Sequence, residues 1–158
     1  MCEGQEAVSG LARPVTIFVA TAPEEIERCF PVMSQLRPHL EPGRFVETVQ
    51  RQQSGAYQLA ALEAQGRVVA VAGFRFGENL AWGRFCYVDD LVTDEAERSN
   101  GYGALLFDWL VQRAEEVGCA QFHLDSGVQR FDAHRFYLGK RMSITSHHFG
   151  LNLDRAAK

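Results

Sequence analysis

Hydrophobic and polar positions in the first third of the chain predict one strand followed by two helices. The β-branched run "VTIFVAT" at 15–21 is typical of a strand. Pro23 then opens "PEEIERCFPVMSQLR", whose two glutamates lie in the first turn, where the helix dipole favours acids. We expect Pro31 to kink or divide this helix. The segment 41–53 predicts a second helix.

The middle of the chain predicts a sheet and the end predicts alternating strands and helices. Strands are expected near 56–63, 67–76 and 82–93, the first two joined as an antiparallel hairpin by a turn around Gly66. The later expectations are a helix over 104–117 that ends near Gly118, a strand at 120–126, a short helix in 129–140 and a final strand at 143–153.

The connection between two of these strands determines the fold class. A long helix joins 84–93 to 120–126, and a right-handed crossover of this kind makes two strands parallel within a mainly antiparallel sheet. We therefore predict an α+β fold with a mixed sheet. The expected organisation is a flexible N-terminus at 1–13 and a single domain at 14–154.

Composition limits the classes of partner and the cellular compartment. The chain has 158 residues, 46% hydrophobic and 23% charged, with a net charge of −4 and scattered basic residues, which argues against nucleic acid as a partner. Its four cysteines show no zinc-ligand spacing and favour free thiols in a reducing compartment. There is no signal-peptide pattern and no apolar run that approaches about 20 residues. These features predict a cytoplasmic protein that does not bind membranes or metal ions.

The hexapeptide "RSNGYG" at 98–103 lies where a strand turns into a helix. The first N–H groups of a helix have no intrahelical partner, and glycines without a β-carbon let a ligand approach the backbone. Arg98 adds a positive charge, so the turn has the parts of a diphosphate site, although a turn without a ligand has the same appearance. No Gly-Lys-Ser or Gly-Lys-Thr is present, and the third position of a dinucleotide fingerprint is Leu106.

"LVTDEAERSNGYGALL" resembles motif A of the GNAT superfamily of N-acetyltransferases, because Arg98, Gly101 and Gly103 stand at the motif's three defining positions. Downstream, "AHRFYLGKRM" is similar to a second motif of that family, with Ala133 and Tyr137 at the expected spacing. Strand and helix order agree over about 14–153. The resemblance implies the GNAT fold, with six to seven strands in a mixed sheet, about four helices and a splayed pair of parallel strands.

The resemblance also implies a co-substrate, acetyl-CoA or another acyl-CoA, and assigns residues to it. Backbone N–H groups of the turn would hold its pyrophosphate, and the end of the preceding strand would bind the pantetheine, with the Leu91 N–H polarising the acetyl carbonyl. The implied cofactor-binding residues are Leu91, Val92, Thr93, Arg98, Ser99, Asn100, Gly101, Tyr102, Gly103, Arg130 and Ala133. Arg130 stands where the family often has an asparagine, and Met142 where it usually has phenylalanine.

Three residues are the candidates for catalysis. Tyr137 is the implied general acid, since a phenol is protonated at neutral pH, although a tyrosine beside Phe136 also suits a hydrophobic core. Asp89 and Asp90 are adjacent in the strand "YVDDLV", which is unfavourable unless they are paired or functional. Strand alternation sends them to opposite faces unless a bulge intervenes. One of them is expected to act as general base or amine anchor; alternatively, one is solvated and the other is paired with an arginine.

The remaining polar residues leave several interpretations open. His123, His134, His147 and His148 suit either the acceptor site, as does Ser126, or structural hydrogen bonds. We predict an N-acetyltransferase that acts by direct attack in a ternary complex on an amine of a small molecule or peptide. A homodimer is left open as its assembly. The alternatives are an acyl-CoA sensor without catalysis and an interaction domain that binds no cofactor.

Overall fold

The computed structural model describes residues 6–8 and 14–153. By the density of its internal contacts the chain divides into two compact units, residues 1–124 and 125–158, and each is described separately. The single domain expected at 14–154 therefore stays a prediction. Most of the N-terminus expected to be flexible lies outside the described residues.

The first unit is built on one mixed sheet whose strand order along the sheet follows the order along the chain. Every neighbouring pair is antiparallel except β5 and β6, which are parallel as the crossover predicted. The strands are β1 (Glu6–Val8), β2 (Val15–Val19), β3 (Tyr57–Ala64), β4 (Arg67–Asn79), β5 (Gly83–Thr93) and β6 (Gln121–Leu124).

Apart from the three-residue β1, the sheet in the described part of the chain has five strands, fewer than the six to seven expected. The continuous segment 14–153 contains five strands, and only the three-residue β1 adds another at the edge of the sheet. The final strand predicted at 143–153 was wrong, because these residues are not in a strand. Phe149, Leu151 and Leu153 alternate with polar positions but are 91%, 85% and 81% exposed, so the alternation lacks the neighbouring surface that a strand buries.

Three helices cover the two faces of the sheet in the first unit. Two of them, α1 (Pro23–Leu36) and α2 (Pro42–Gln53), pack on one face around Ile26, Phe45 and Val71. The third, α3 (Tyr102–Glu116), packs on the other face around Phe74, Leu106 and Leu110. The second unit contains α4 (Phe131–Gly139). Among the described residues, no helix combines the length and the hydropathy needed to cross a bilayer.

The start of α1 agrees with the sequence, whereas its interior does not. The Glu25 carboxylate accepts hydrogen bonds from the N–H groups of Thr21 and Ala22 at 2.9 and 3.0 Å. These bonds satisfy donors that a helix start leaves free, and they lower the pKa of Glu25. Of the two effects expected at Pro31, a division of the helix was wrong, because α1 continues through this exposed residue to Leu36, and a kink stays a prediction.

Candidate active site

The turn at 98–103 forms the start of α3 in the conformation that its glycines allow. Gly101 is the residue that caps the helix, with φ of 83° in the left-handed region, where a side chain is strained. The first helical hydrogen bond runs from the Leu105 N–H to the Gly101 carbonyl at 3.0 Å. The N–H groups of residues 102–104 precede that bond, so they point out of the helix without an intrahelical acceptor. They form a site suited to an anion.

The second glycine of the turn permits close packing. A β-carbon on Gly103 would lie 2.9 Å from the hydroxyl oxygen of Thr93, at the end of β5. The start of α3 therefore packs directly against the end of β5, and no residue larger than glycine fits at position 103 without a shift of one of them. The side chain of Tyr102 is buried in the core, so only its backbone is available to a ligand.

The polar side chains of the turn remain on the surface. Arg98, Ser99 and Asn100 are exposed, and the Asn100 amide donates to the Glu97 carboxylate at 2.9 Å. In the described part of the chain the Arg98 guanidinium has no hydrogen-bond or ion-pair partner. Its charge can therefore add to that of the helix N-terminus.

The second half of β5 offers free backbone groups beside this turn. The parallel ladder between β5 and β6 ends at Val88 and Leu124, so residues 89–93 have no strand on that side within the described residues. The Asp94 N–H donates to the Val69 carbonyl of β4 at 2.8 Å. Alternate residues of an antiparallel strand face alternate edges, so Leu91 and Thr93 direct their N–H and C=O groups to the open edge. Val92 directs its own toward β4.

Asp94 fixes the chain between this edge and the turn. Its carboxylate accepts from the Ala96 N–H at 3.1 Å and from the Gln35 side chain at 3.3 Å, and it pairs with Arg67 at 2.9 Å. The backbone hydrogen bond from Ala96, followed by the bonds from Gln35 and Arg67, holds the pKa of Asp94 below its ordinary value. Asp94 therefore connects α1, β4 and the approach to α3.

A β-bulge places both candidate acids on one face of the sheet. Gly73 is opposite Asp90 and Phe74 is opposite Val88, which leaves Asp89 as the extra residue in β5. Side chains of Val88 and Leu91 pack on the α3 face, whereas both aspartates lie on the α1 and α2 face. They line a cavity of about 320 Å³ with Met33, Arg37, His39, Leu40, Phe45, Thr48, Val49, Gln52, Tyr57 and Arg75.

Each aspartate is paired with an arginine, so the structure differs from the alternative with one solvated acid. Arg75 donates through Nε and Nη2 to the same Asp89 oxygen at 3.0 and 2.6 Å. Arg37, just beyond the end of α1, donates through Nε to Asp90 at 2.7 Å and through Nη2 to the Asp89 carbonyl at 3.2 Å. That carbonyl is free to accept because the bulge removes it from the ladder.

Tyr57 is a residue of this cavity that the sequence did not indicate. Its side chain is buried beneath the two acids, and a β-carbon on Gly73 would overlap its hydroxyl group. Burial raises the pKa of Tyr57, and the charges of Asp90 and Asp89 raise it further. The hydroxyl therefore keeps its proton and has no hydrogen-bond partner within the described residues.

The second unit holds the other residues of the family motif on α4. Ala133 and Tyr137 are one turn apart and half-buried, while Arg130 precedes the helix and is exposed. Burial raises the pKa of Tyr137, against a smaller opposing effect of the Arg130 charge. The phenol is thus protonated at neutral pH, as a general acid requires.

Most of the histidines left open by the sequence have structural contacts. His123 stacks on Trp82 with ring centroids 3.7 Å apart, and a ring nitrogen of His134 is 2.9 Å from the Gly127 carbonyl oxygen. His148 is 3.3 Å from the Asp125 carboxylate, and His147 is exposed. The Ser126 hydroxyl is buried without a hydrogen-bond partner in the described part of the chain.

Arg37, Arg75 and Tyr57 could not be recognised as members of one site from the sequence. They come from the end of α1, from β4 and from β3, and the bulge that brings them together is a property of strand pairing. In the sequence, Arg75 is marked only by being an arginine within a predicted strand, which is a weak signal of a functional site.

Comparisons with known proteins agree with this geometry. The model of the acetyltransferase (GNAT) family matches residues 20–141. An uncharacterized N-acetyltransferase of Bacillus subtilis, YhdJ, is 35% identical over 121 residues, which are 76% of this chain and 85% of the relative.

Two solved structures share the fold at low sequence identity. A transcriptional regulator from Bacillus halodurans has a TM-score of 0.79 at 23% identity, with 88% of this chain and 99% of that one covered. Glucosamine-6-phosphate N-acetyltransferase from Arabidopsis thaliana has a TM-score of 0.73 at 18% identity, with 89% and 99% covered. Given the family match and the relative from Bacillus subtilis, the chain belongs to the GNAT family of acetyltransferases and is an acyltransferase.

Proposed function

We propose that the protein transfers an acetyl group from acetyl-CoA to an amine of a small molecule or peptide, by direct attack within a ternary complex. The observation that carries this proposal is the order of residues in β5. Asp89 and Asp90 face the cavity under α1 and α2, and Leu91 directs its backbone to the open edge of the strand. A site for the acceptor and a site for the donor thus adjoin at consecutive residues.

The start of α3 and the open edge of β5 together fit acetyl-CoA in three respects. The start of α3 offers free N–H groups and no β-carbon at Gly101, where a pyrophosphate needs close approach. Arg98 supplies a positive charge without a partner in the described residues. The N–H and C=O groups of Leu91 and Thr93 can pair with the amides of a pantetheine as a strand would. The backbone of Val92 faces β4 and its side chain is buried in the core, so Val92 would only help to position the neighbouring residues that contact the pantetheine.

Acetyl-CoA supplies an activated thioester; the amine nitrogen forms the new N–C bond as the C–S bond breaks and the thiolate leaves. One carboxylate of Asp89 or Asp90 takes the proton that the amine loses, and the other holds the amine in place. The Leu91 N–H donates to the carbonyl oxygen as negative charge develops there. Tyr137 gives its proton to the thiolate. The amine thus loses one proton to an aspartate, and the thiolate gains one proton from Tyr137.

The test combines binding with turnover in the full-length protein. Acetyl-CoA should raise the melting temperature, because a ligand that binds only the native state stabilises it. Free thiol should be released when a panel of primary amines is added. Stabilisation without release for any amine would instead support the acyl-CoA sensor, and absence of both would contradict acetyl-CoA binding altogether.

Variants of the two acids separate their roles. The variant of the general base, Asp89→Asn or Asp90→Asn, should lower kcat by about 100-fold or more, within the range for general acid–base catalysis. The variant of the amine anchor should mainly raise KM. Glu115→Gln, an exposed acid on α3, is the matched control and should leave both constants unchanged. Full activity in both aspartate variants would remove their proposed roles.

A further inference from the structure

The cavity under α1 and α2 carries balanced charge. Its lining contains two aspartates and two arginines, and each acid is bound to one of the bases. An acceptor with only an ammonium group would meet carboxylates that are already neutralised, and an acceptor with only a carboxylate would meet guanidinium groups that are already engaged. The lining therefore does not favour a ligand that carries only a positive charge or only a negative charge.

Each ion pair nevertheless keeps one unused guanidinium nitrogen and one unused carboxylate oxygen. Arg75 uses Nε and Nη2 on one oxygen of Asp89, so its Nη1 and the other Asp89 oxygen remain. Arg37 uses Nε on one oxygen of Asp90 and Nη2 on a carbonyl, so its Nη1 and the other Asp90 oxygen remain. Within the described residues these four atoms have no hydrogen-bond partner. The arginine side chains are 44% and 41% exposed, so a ligand can reach them.

The rest of the lining combines polar residues, His39, Thr48, Gln52 and Tyr57, with an apolar wall. Met33 of α1, Leu40 of the connecting loop, and Phe45 and Val49 of α2 form this part of the wall. The volume of about 320 Å³ is at the lower end of the range for small-molecule sites. A compact ligand with a hydrophobic side chain fits these walls, whereas a long polycation does not.

We propose that the acceptor is an amino acid with an apolar side chain. Its ammonium group would bind the free oxygens of Asp89 and Asp90, and its carboxylate would bind the free Nη1 groups of Arg37 and Arg75. Its side chain would lie against the apolar wall. The ligand then adds hydrogen bonds to both ion pairs without breaking either one. This inference rests on the proposed function, since it names the acceptor of the same reaction.

Matched ligands that lack one charge test the proposal. Leucine is compared with isoamylamine, which lacks the carboxylate, and with isocaproate, which lacks the amine; phenylalanine, phenethylamine and hydrocinnamate form a second set. Binding to the full chain in the presence of CoA is followed by calorimetry. Thiol release from acetyl-CoA is measured separately for the amines and amino acids.

We expect leucine or phenylalanine to bind at least about tenfold more tightly than either matched partner, which corresponds to the loss of one hydrogen bond between charged groups. Arg75→Gln and Arg37→Gln should reduce this preference, because each removes a guanidinium that would hold the carboxylate and leaves an aspartate free to bind the plain amine more tightly. Arg75→Lys should restore part of it, which separates a contact with the ligand from a loss of folding. Arg51→Gln, on the exposed surface of α2, is the control.

Two results would overturn the proposal. One is binding of the plain amines that equals or exceeds that of the amino acids, and the other is no binding by any member of either set. Thiol release that is as fast with amines lacking a carboxylate as with the matched amino acids would leave acetyl transfer intact and reject only the amino-acid acceptor. Absence of acetyl-CoA binding would reject the proposed function itself.

Discussion

Gly103 packs so closely against Thr93 that a β-carbon on the glycine would lie 2.9 Å from the threonine hydroxyl oxygen. This contact joins the first turn of α3 to the last residue of β5, so it sets the distance between the proposed pyrophosphate and pantetheine sites. Its closeness leads to the first prediction.

Gly103→Ala should weaken acetyl-CoA binding and destabilise the protein by about 1–3 kcal/mol, because overpacking shifts either the helix or the strand. Urea denaturation and calorimetric titration with CoA measure the two effects. In the double variant Gly103→Ala with Thr93→Ala the clashing oxygen is gone, and most of the stability should return. An equally destabilised double variant would show that the contact is not the cause.

Gly101→Ala tests the left-handed backbone at the start of α3. At φ of 83° a non-glycine residue should cost about 1–2 kcal/mol, although the space around the new methyl group is open. Gly43→Ala in α2 is the matched control, since that site is equally open and its φ is not in the left-handed region. The control should be neutral or slightly stabilising in the same denaturation experiment. Equal effects at both sites would contradict the prediction.

Tyr137→Phe tests the proposed general acid. Loss of the phenolic proton should lower kcat by about 100-fold or more with little change in KM for the acceptor. Because burial raises the pKa of Tyr137, any loss of wild-type activity that reflects its deprotonation should occur only above pH 10. A pH–rate profile to pH 11 on both proteins makes the comparison, with equal melting temperatures as the control. An unchanged kcat would exclude the role.

Two buried thiols should make the protein less stable in alkali. Burial raises the pKa of Cys29 and of Cys86 from 9.0 to about 12. Between those values the unfolded chain loses thiol protons that the folded chain retains, so the free energy of unfolding falls as pH rises from 9 to 12. The slope is up to about 1.4 kcal/mol per pH unit for each thiol.

Urea midpoints at several pH values measure this slope. Cys29→Ala and Cys86→Ala should each flatten it, whatever stability each variant has at pH 7. A slope that both variants share with the unaltered protein would assign the alkaline loss to other groups.

The sequence predicted most elements because local signals agree with the tertiary structure. The start of α1 at Pro23, the hairpin around Gly66 and the parallel crossover through α3 were confirmed. The strand expected at 143–153 shows the limit of alternation, which reports a half-buried surface only where another element covers it. Pro31 shows a second limit, because packing of α1 on the sheet outweighs the loss of one hydrogen bond.

The candidate site was predictable where its chemistry lies in the backbone and unpredictable where it depends on partners distant in the chain. The turn around Gly101 was recognised from six adjacent residues. By contrast, Arg37 meets Asp90 across 53 positions, and no local pattern indicates that meeting. From the sequence, the side on which each aspartate lies could be given only on the condition of a bulge, because the register is set by pairing between two strands.

That bulge has a further consequence for how β5 is organised. If Asp89 were deleted, Val88 and Asp90 would become neighbours, and side chains would alternate regularly from Cys86 to Val92 with both hydrophobic layers unchanged. The strand would then be a regular ladder over its whole length. Packing of the sheet therefore does not require the extra residue, whose side chain and displaced carbonyl both accept hydrogen bonds from arginines of the cavity.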